Sequence, residues 1–362
     1  MQYIKSLCEY RLWCYIAARH PACAGKVEEM MLIHNTYFGP CLDASGLCGF
    51  LGEGQWFHKF ASFWFDFRGS TRVATTTTLM PNTGNMPRSG AKKHFFPREW
   101  IPRCIWLNPI KGLALNAVGL SNPGIVALIN AGLLAETREP YMISVMPIEK
   151  SVENRLEEFR IIVNHIDWAL LSNPLLRQCI GLQINVTCPN VGADLQKIAH
   201  EACGYLSNAM RLDIPLVVKL NMLVPTEIVG EIASHAARPG LCCTNTIPFG
   251  ARIPDHLGKQ IPWEELFPQG SPLKAFGGGG LSGKLLLPLV AQWIREVRSA
   301  GIMAPINAGG GILRPMDVDI LVNAGLRRGL DSIFIGSIAM LRPWNIQPVI
   351  RRAHELLGID ND

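Results

Sequence analysis

A cysteine between two asparagines is the clearest candidate for chemistry in this sequence. Asn185 lies near the end of an apolar segment, Cys188 follows it closely, and Asn190 comes next. Two side-chain amides can hold a flat polar ring through its carbonyl and N–H groups, with the thiol beside one edge of the ring. A loop cysteine followed by a Pro-Asn turn fits this spacing at least as well, so the run by itself leaves both interpretations open.

Polar residues also end the next two apolar segments. Lys219 closes the first of them, and Asn245 and Thr246 close the second. A lysine in such a position either faces the open end of a sheet or loses its hydration, which is costly for an ammonium group. The carboxyl ends of three consecutive strands would therefore place amide, thiol, ammonium and hydroxyl groups at the same rim of the sheet. This favours a binding site at that rim.

Glycine-containing turns follow the last two apolar segments. Gly310 and Gly311 come after one of them, and Gly336 and Ser337 come after the other. Backbone N–H groups at such turns, ahead of a helix, are where parallel barrels bind phosphate. A run of glycines alone fits a tight turn equally well, so it is the position after the seventh and eighth strands that indicates a phosphate site.

The elements that must position these residues alternate regularly. Eight short apolar segments have the pattern of buried strands: Leu42–Ala44, Val73–Thr77, Met142–Val145, Leu182–Val186, Leu216–Leu220, Leu241–Asn245, Ala304–Asn307 and Ile333–Ile335. Amphipathic stretches typical of helices lie between them, among them Ser151–Ile166, Thr226–Ala236, Leu285–Ala300 and Met316–Ala324. This alternation predicts a parallel sheet covered by helices, and eight units favour an α/β fold of the (β/α)8 TIM barrel type.

Three regions do not follow the alternation. Residues 1–38 form an N-terminal extension, for which we expect one or two small helices. The stretches 80–123 and 247–282 contain many prolines and glycines, and we expect them to be long loops that cap the barrel mouth. Residues 39–362 are then predicted to be one barrel domain.

Composition narrows the class of protein. The net charge is +5 and 17% of the 362 residues are charged, against about 25% in an average domain, which predicts a large buried core and gives no support for nucleic-acid binding. Apolar runs are too short for a membrane span and no signal-peptide pattern is found, so we expect a cytoplasmic protein. The eleven cysteines include no Cys-x-x-Cys, which favours reduced thiols over a bound metal.

In chain order, these blocks resemble the dihydroorotate dehydrogenase family, whose members are FMN-binding (β/α)8 barrels. The resemblance covers roughly residues 38–358. Each block is weak by itself, whereas the complete order is specific for the superfamily. Besides the two glycine turns, the blocks are Leu42 to Gly46, Gly84 to Arg88, Asn116 to Asn122, Asn185 to Val191, Lys219, Asn245-Thr246 and Gly279 to Gly283.

The resemblance implies proton abstraction coupled to hydride transfer. Cys188 would take the proton from C5 of a dihydropyrimidine ring, and the hydride from C6 would pass to the flavin. Cysteine at this position, where the membrane-associated branch of the family carries serine, points to the soluble branch. Lys219 would offset negative charge on the reduced flavin.

Further roles carry over position by position. The resemblance assigns substrate binding to Asn116, Gly119, Leu120, Asn185, Asn190, Asn245 and Thr246. It assigns FMN binding to Ala44, Ser45, Gly46, Thr75, Thr76, Asn185, Lys219, Gly283, Gly310, Gly311, Gly336 and Ser337. A small-molecule substrate of the dihydroorotate type follows, and a homodimer is compatible with these roles. The electron acceptor is left open among fumarate, quinone and NAD through a partner subunit.

One position departs from the family pattern. The second strand of the family carries a lysine that contacts flavin and substrate, and Thr75 stands at that point here. Arg72 and Arg88 are near it in sequence, although nothing in the sequence shows that either replaces the lysine. A dihydroorotate dehydrogenase is the leading interpretation. The alternatives are an FMN barrel that acts on another cyclic substrate and a catalytically silent barrel.

Overall fold

Short strands recur along the part of the chain that the structure describes. The computed structural model describes residues 32–33, 36–55, 58, 63–89, 95–99, 101–134, 139–186 and 195–359. The predictions for residues 1–31, Cys188 and Asn190 lie outside these ranges. The strands within them are β1 Leu32–Ile33, β2 Thr36–Tyr37, β3 Cys41–Asp43, β4 Ile105–Asn108, β5 Leu113–Asn116, β6 Tyr141–Val145, β7 Ile180–Asn185, β8 Leu216–Leu220, β9 Gly240–Cys243, β10 Ile247–Pro248, β11 Gly280–Gly283, β12 Ile306–Ala308 and β13 Ser332–Ile335.

Seven of these strands form one parallel sheet in the order β3-β13-β12-β9-β8-β7-β6. Residues 71–77 fill the gap between β3 and β6 and form parallel bridges to both, at Thr71, Val73 and Thr77. The sheet is thereby an almost closed barrel of eight parallel segments. The predicted (β/α)8 TIM barrel is confirmed.

The second segment of the barrel is not the regular strand expected over Val73–Thr77. It makes isolated bridges, because the N–H of Thr75 donates to the carbonyl of Gly49 instead of to a neighbouring strand. The N–H groups of Ala74 and Thr77 still donate to carbonyls of β6. The other seven predicted strands are found with each end within two residues of the expected one.

The helices lie between the barrel strands, and α2 begins where the sequence predicted it. Ser151 caps it, since its hydroxyl accepts a hydrogen bond from the N–H of Asn154 at 3.1 Å. The helices of the described residues are α1 Ile125–Asn130, α2 Val152–Ser172, α3 Leu195–Ala209, α4 Thr226–Ala233, α5 Trp263–Leu266, α6 Leu286–Ser299, α7 Met316–Asn323, α8 Ile338–Leu341 and α9 Ile346–Leu357. Short 3-10 turns cover Pro174–Gln178, Met210–Leu212, Asp255–Leu257, Lys274–Phe276 and Pro343–Asn345.

The two long loops expected over the barrel mouth contain a small sheet. β4 and β5 form an antiparallel hairpin, and β11 pairs with β5 on one side and with β10 on the other. These strands lie in stretches rich in proline and glycine, which indicated loops, so the sequence did not reveal them. In the N-terminal extension, β1 pairs with β2 in antiparallel orientation, and the small helices expected there fall on residues outside the described ranges.

Apolar side chains fill the lower part of the barrel. Phe38, Met142, Val217 and Phe334 belong to a buried cluster that is separate from the larger core between sheet and helices. Gly181 allows the ring of Phe38 to approach the sheet, because a Cβ at this position would lie 2.8 Å from ring atom Cζ. The apolar filling gives way to a cavity at the carboxyl ends of the strands, where a parallel barrel carries its functional loops.

Several other features concern the described residues as a whole. Among them, no helix is long and apolar enough to cross a bilayer. Nor does any group of three His, Cys, Asp or Glu side chains have the arrangement of a metal site within these ranges. Cys242 and Cys243 are buried free thiols, as the sequence predicted, and Cys41, Cys48, Cys104 and Cys203 are also free thiols.

Candidate functional site

A cavity of about 1020 Å³ opens between the carboxyl-terminal rim of the barrel and the cap. Its wall contains most of the residues singled out in the sequence: Ala44, Ser45, Gly46, Thr75, Thr76, Asn116, Gly119, Leu120, Asn185, Lys219, Asn245, Thr246, Gly310, Gly311, Gly336 and Ser337. Gly283 is buried behind this wall. Cys188 and Asn190 lie outside the described residues, so their position relative to the cavity stays a prediction.

Two asparagine side chains are joined directly at the rim. Nδ2 of Asn245 donates to Oδ1 of Asn185 at 2.8 Å. Asn185 is the last residue of β7 and lies opposite Lys219 of β8, while the backbone N–H of Asn245 donates to the carbonyl of Leu220. Although β9 ends at Cys243, two residues before the expected end, these bonds bring the ends of three consecutive strands together.

Lys219 is a buried cation. The residue is 9% exposed, its Nζ lies 5.9 Å from the centre of the Phe334 ring, and no described group forms a hydrogen bond or ion pair with it. Burial lowers the pKa of its ammonium group, against an opposing effect of Cys242 and Cys243. Because a buried charge is costly without compensation, this ammonium is suited to a ligand group that carries negative charge.

Hydroxyl groups link the turn after β3 to the barrel interior. The Ser45 hydroxyl donates to the carbonyl of Ala74 at 2.8 Å and lies 2.9 Å from Oγ1 of Thr76. Oγ1 of Thr76 in turn lies 2.8 Å from Oγ of Ser144. Thr75 differs from them, since its Oγ1 is buried without a hydrogen-bond partner in the described part of the chain. An unpaired buried hydroxyl costs free energy, so a ligand that bonds to it would be stabilised.

Glycine backbone forms another part of the wall. Gly310 and Gly311 have φ angles of 132° and 86°, which favour glycine. A Cβ at Gly311 would lie 2.7 Å from the backbone nitrogen of Leu287, near the start of α6, and 2.8 Å from the carbonyl oxygen of Gly283. The wall at this point is thus bare backbone held close to a helix start, and Gly336 also lines the cavity. Such backbone is suited to a phosphate group.

The segment over the mouth of the cavity is bonded to the barrel through Asn122. Its Oδ1 accepts from the hydroxyl of Thr77 at 2.8 Å and from the N–H of Gly124 at 2.8 Å. Asn85 supports the same segment, since its Nδ2 donates to the carbonyl of Ala117 at 2.7 Å. These bonds hold the loop that presents Gly119 and Leu120 to the cavity.

Several wall residues were not predicted. Asn85, Arg88 and Ser121 lie in two blocks that resemble the substrate-holding segment of the family, but none of them was given a role of its own, and His58 carried no signal at all. They come from loops without a repeating pattern, so only the resemblance of these blocks pointed to three of them. Arg72 lies outside the wall, with its guanidinium carbon 4.6 Å from the centre of the Tyr141 ring.

Fold and cavity together define a parallel (β/α)8 barrel with a large cavity at the carboxyl ends of its strands, where such barrels carry their functional loops. Comparison with known proteins identifies the family. The family model of dihydroorotate dehydrogenase matches residues 29–326. The chain belongs to the dihydroorotate dehydrogenase family.

Individual relatives are distant. The catalytic subunit of dihydroorotate dehydrogenase B (NAD(+)) from Staphylococcus carnosus is 28% identical over 257 residues, which cover 68% of this chain and 74% of the relative. The corresponding subunit from Halalkalibacterium halodurans is 27% identical over 319 residues and covers 86% and 87%. Among solved structures, a chain of the Pyrococcus furiosus tryptophan synthase complex is 12% identical with a TM-score of 0.27, over 61% of this chain and 86% of that one. The fold assignment therefore rests on the strand order.

Proposed function

We propose that this chain is an FMN-dependent oxidoreductase that converts dihydroorotate to orotate, the reaction for which its relatives are named. In this proposal Cys188 removes the proton from C5 of the substrate ring. FMN, when bound, accepts the hydride from C6. Together the two steps leave a C5–C6 double bond and a protonated thiol that must return its proton to solvent.

The observation that carries the proposal is the joined end of three strands. The bonded pair Asn185 and Asn245 borders the same cavity as Asn116 and Lys219. Side-chain amides offer both donors and acceptors, which the carbonyl and N–H edges of a pyrimidine ring require. Among the predicted substrate residues, Gly119, Leu120 and Thr246 complete the described wall on this side.

The residues present fit FMN. Gly310 and Gly311 line the cavity with bare backbone, and the N–H groups of such backbone can bind a phosphate. Lys219 supplies an uncompensated buried cation for the flavin ring, and the unpaired hydroxyl of Thr75 supplies an open hydrogen bond. Ala44, Ser45, Gly46, Thr76, Gly336 and Ser337 would hold the rest of the cofactor.

The test of this proposal is the variant Cys188→Ala. The purified protein should remain yellow, but anaerobic dihydroorotate should no longer bleach the flavin at neutral pH, because no thiolate takes the C5 proton. Single-turnover reduction followed by absorbance measures this. Cys203→Ala, which removes a partly buried thiol on α3 away from the cavity wall, is the matched control and should bleach at the wild-type rate.

Cys188→Ser should keep slow bleaching that rises with pH, since a hydroxyl is a weaker base than a thiol at neutral pH. Unchanged reduction in Cys188→Ala would exclude Cys188 as the base. A wild-type protein that purifies without flavin would refute the cofactor and support the catalytically silent alternative.

A second function is supported by Thr75. Its unpaired hydroxyl is neutral at the point where the family carries a lysine, which suits a cyclic substrate without a carboxylate. Anaerobic dihydrouracil and dihydroorotate separate the two functions, because they share the ring and differ in the carboxylate. Faster bleaching by dihydrouracil would favour this second function over the first.

A further inference from the structure

Two basic side chains of the cavity wall have no acidic partner. Besides His58, whose pKa burial lowers to about 4 so that its ring is neutral at pH 7, the ionisable side chains of the wall are Lys219, Arg88 and Glu99. Glu99 is already paired, because its carboxylate accepts from the side chain and backbone of Arg103 at 2.8 and 2.9 Å. The described wall therefore carries two basic groups, Lys219 and Arg88, without an ion pair.

Arg88 is held rigidly with part of its guanidinium unused. Nε donates to the carbonyl of Ser121 at 3.0 Å, Nη1 donates to the carbonyl of Phe95 at 2.8 Å, and the guanidinium carbon lies 4.8 Å from the centre of the Phe50 ring. Nη2 keeps both of its N–H donors, and Arg88 forms no ion pair with any carboxylate of the described residues. A fixed guanidinium with free donors is the group best suited to a carboxylate.

Arg88 and Thr75 line the same cavity and contact neighbouring residues of one turn. Thr75 donates its N–H to the carbonyl of Gly49 at 3.0 Å, and the next residue, Phe50, carries the ring under the Arg88 guanidinium. Burial lowers the pKa of this guanidinium to about 10, against an opposing effect of the Glu53 carboxylate, which accepts the N–H groups of Phe50 and Leu51. Arg88 is thus a cation on the wall of the cavity that Thr75 also lines.

We infer that Arg88 is the specificity-determining residue that binds the carboxylate of the ring substrate, in place of the lysine absent at Thr75. The inference rests on the proposed function, from which it takes the ring substrate. It adds that the cavity selects anionic rings over neutral ones. Nη2 of Arg88 would donate to the carboxylate, while Nε keeps the Ser121 loop in place.

The test compares orotate with uracil, which is the same ring without the carboxylate, by calorimetric titration of the flavin-loaded protein. Arg88→Gln should weaken orotate binding by about 10- to 100-fold and change uracil binding less than threefold, because only the carboxylate loses its charged partner. Arg88→Lys should recover part of the orotate affinity. Arg98→Gln is the control, since Arg98 donates to the Arg88 carbonyl from outside the cavity wall, and it should bind both ligands normally.

If Arg88→Gln loses affinity for orotate and uracil equally, Arg88 only positions the loop. If it loses affinity for neither ligand, Arg88 is not part of the binding site. Either result overturns the inference. If the wild-type protein binds neither ligand, the proposed substrate fails. Benzoate and benzamide then replace them, because they also differ by an anionic carboxylate. A wild-type preference for benzoate that disappears in Arg88→Gln would support the anion site without that substrate, and no preference would overturn it.

Discussion

Two buried aspartates lie at opposite rims of the barrel and have opposite surroundings. Asp331 precedes β13 at the amino-terminal rim, and its side chain is 0% exposed. It accepts from Nη2 of Arg298 at 2.8 Å and from the backbone N–H groups of Ile306 and Arg327, both at 2.7 Å. Every lone pair of this carboxylate therefore faces a donor, and the bonds connect α6, β12 and the turn before β13.

Asp43 ends β3 at the carboxyl-terminal rim and has weaker partners. Burial raises the pKa of its carboxyl group to about 6, although hydrogen bonds from Cys48 and Ser70 and the charge of Arg72 act in the opposite direction. The Ser70 hydroxyl donates to it at 2.8 Å. Lys219 lies at the same rim without a hydrogen bond or ion pair to any described residue, and only the Phe334 ring lies near its Nζ, at 5.9 Å.

The comparison indicates that the two rims of the barrel have different roles, one in stability and the other in ligand binding. At the amino-terminal rim a buried charge is fully bonded and stabilises the fold. At the carboxyl-terminal rim, burial of Asp43 is only partly offset, and Lys219 and Thr75 have no hydrogen-bond partner for their side chains among the described residues, which costs stability but leaves donors that face the cavity. This is the division expected of a barrel whose ligands bind at the carboxyl ends of its strands.

The largest expected effect is at the amino-terminal rim. Asp331→Asn should lower the free energy of unfolding by about 3–5 kcal/mol, because Arg298 and Arg327 would lose a buried carboxylate. Urea denaturation followed by circular dichroism measures this. Asp255→Asn is the matched control, since Asp255 pairs with Arg252 and both side chains are about 80% exposed, and it should leave stability nearly unchanged. A loss no larger than that of the control would contradict the contrast between the rims.

A smaller change in stability, which depends on pH, is expected when Asp43 is replaced. Its pKa is raised in the folded state, so its stabilising contribution is complete below the ordinary value of 3.8 and is lost as the pH rises through about 6. Asp43→Asn should remove this loss and raise the free energy of unfolding at pH 7 by about 2–3 kcal/mol relative to wild type. The Asn carbonyl can still accept from Ser70.

Urea denaturation of both proteins between pH 4 and pH 8 measures this effect of Asp43. The two stabilities should converge near pH 4, diverge as the pH rises to about 6, and remain apart by a constant amount above it. Parallel curves over the whole range would mean that Asp43 is not the titrating group.

The smallest expected change in stability is at Lys219. Burial lowers the pKa of the Lys219 ammonium group in the folded state. The contribution of this group to stability is therefore complete above the ordinary pKa of 10.5 and is lost as the pH falls through the folded-state pKa. The charged form is thus the unfavourable one in the folded protein. Lys219→Met should raise the stability of flavin-free protein by on the order of 1 kcal/mol. The same variant should lose flavin reduction by substrate. Lower stability in urea denaturation would show that Lys219 has a structural partner.

Strands with an apolar run between polar turns were predictable from the sequence, whereas strands inside the long loops and the segment without a regular ladder were not. Leu216–Leu220 was predicted at its observed bounds because an apolar run between polar turns has one interpretation in a parallel sheet. The segment 71–77 closes the barrel without a regular ladder, since Thr75 bonds to a loop carbonyl that no local pattern reveals. β4 and β5 were missed because they lie in a stretch rich in proline and glycine, which indicated a loop.

The candidate site likewise has a part that the sequence predicted and a part that only the structure shows. Local sequence was sufficient to place Asn185, Lys219 and Asn245 at one rim, because the carboxyl ends of parallel strands must meet there. Only the tertiary structure decided that the two asparagine side chains bond to each other and that Lys219 has no described partner. It alone also placed Arg88 in the cavity wall, since that depends on carbonyls far away in sequence, such as that of Ser121. Strand order follows from local pattern, whereas the pairing of donors with acceptors depends on which distant loops approach each other.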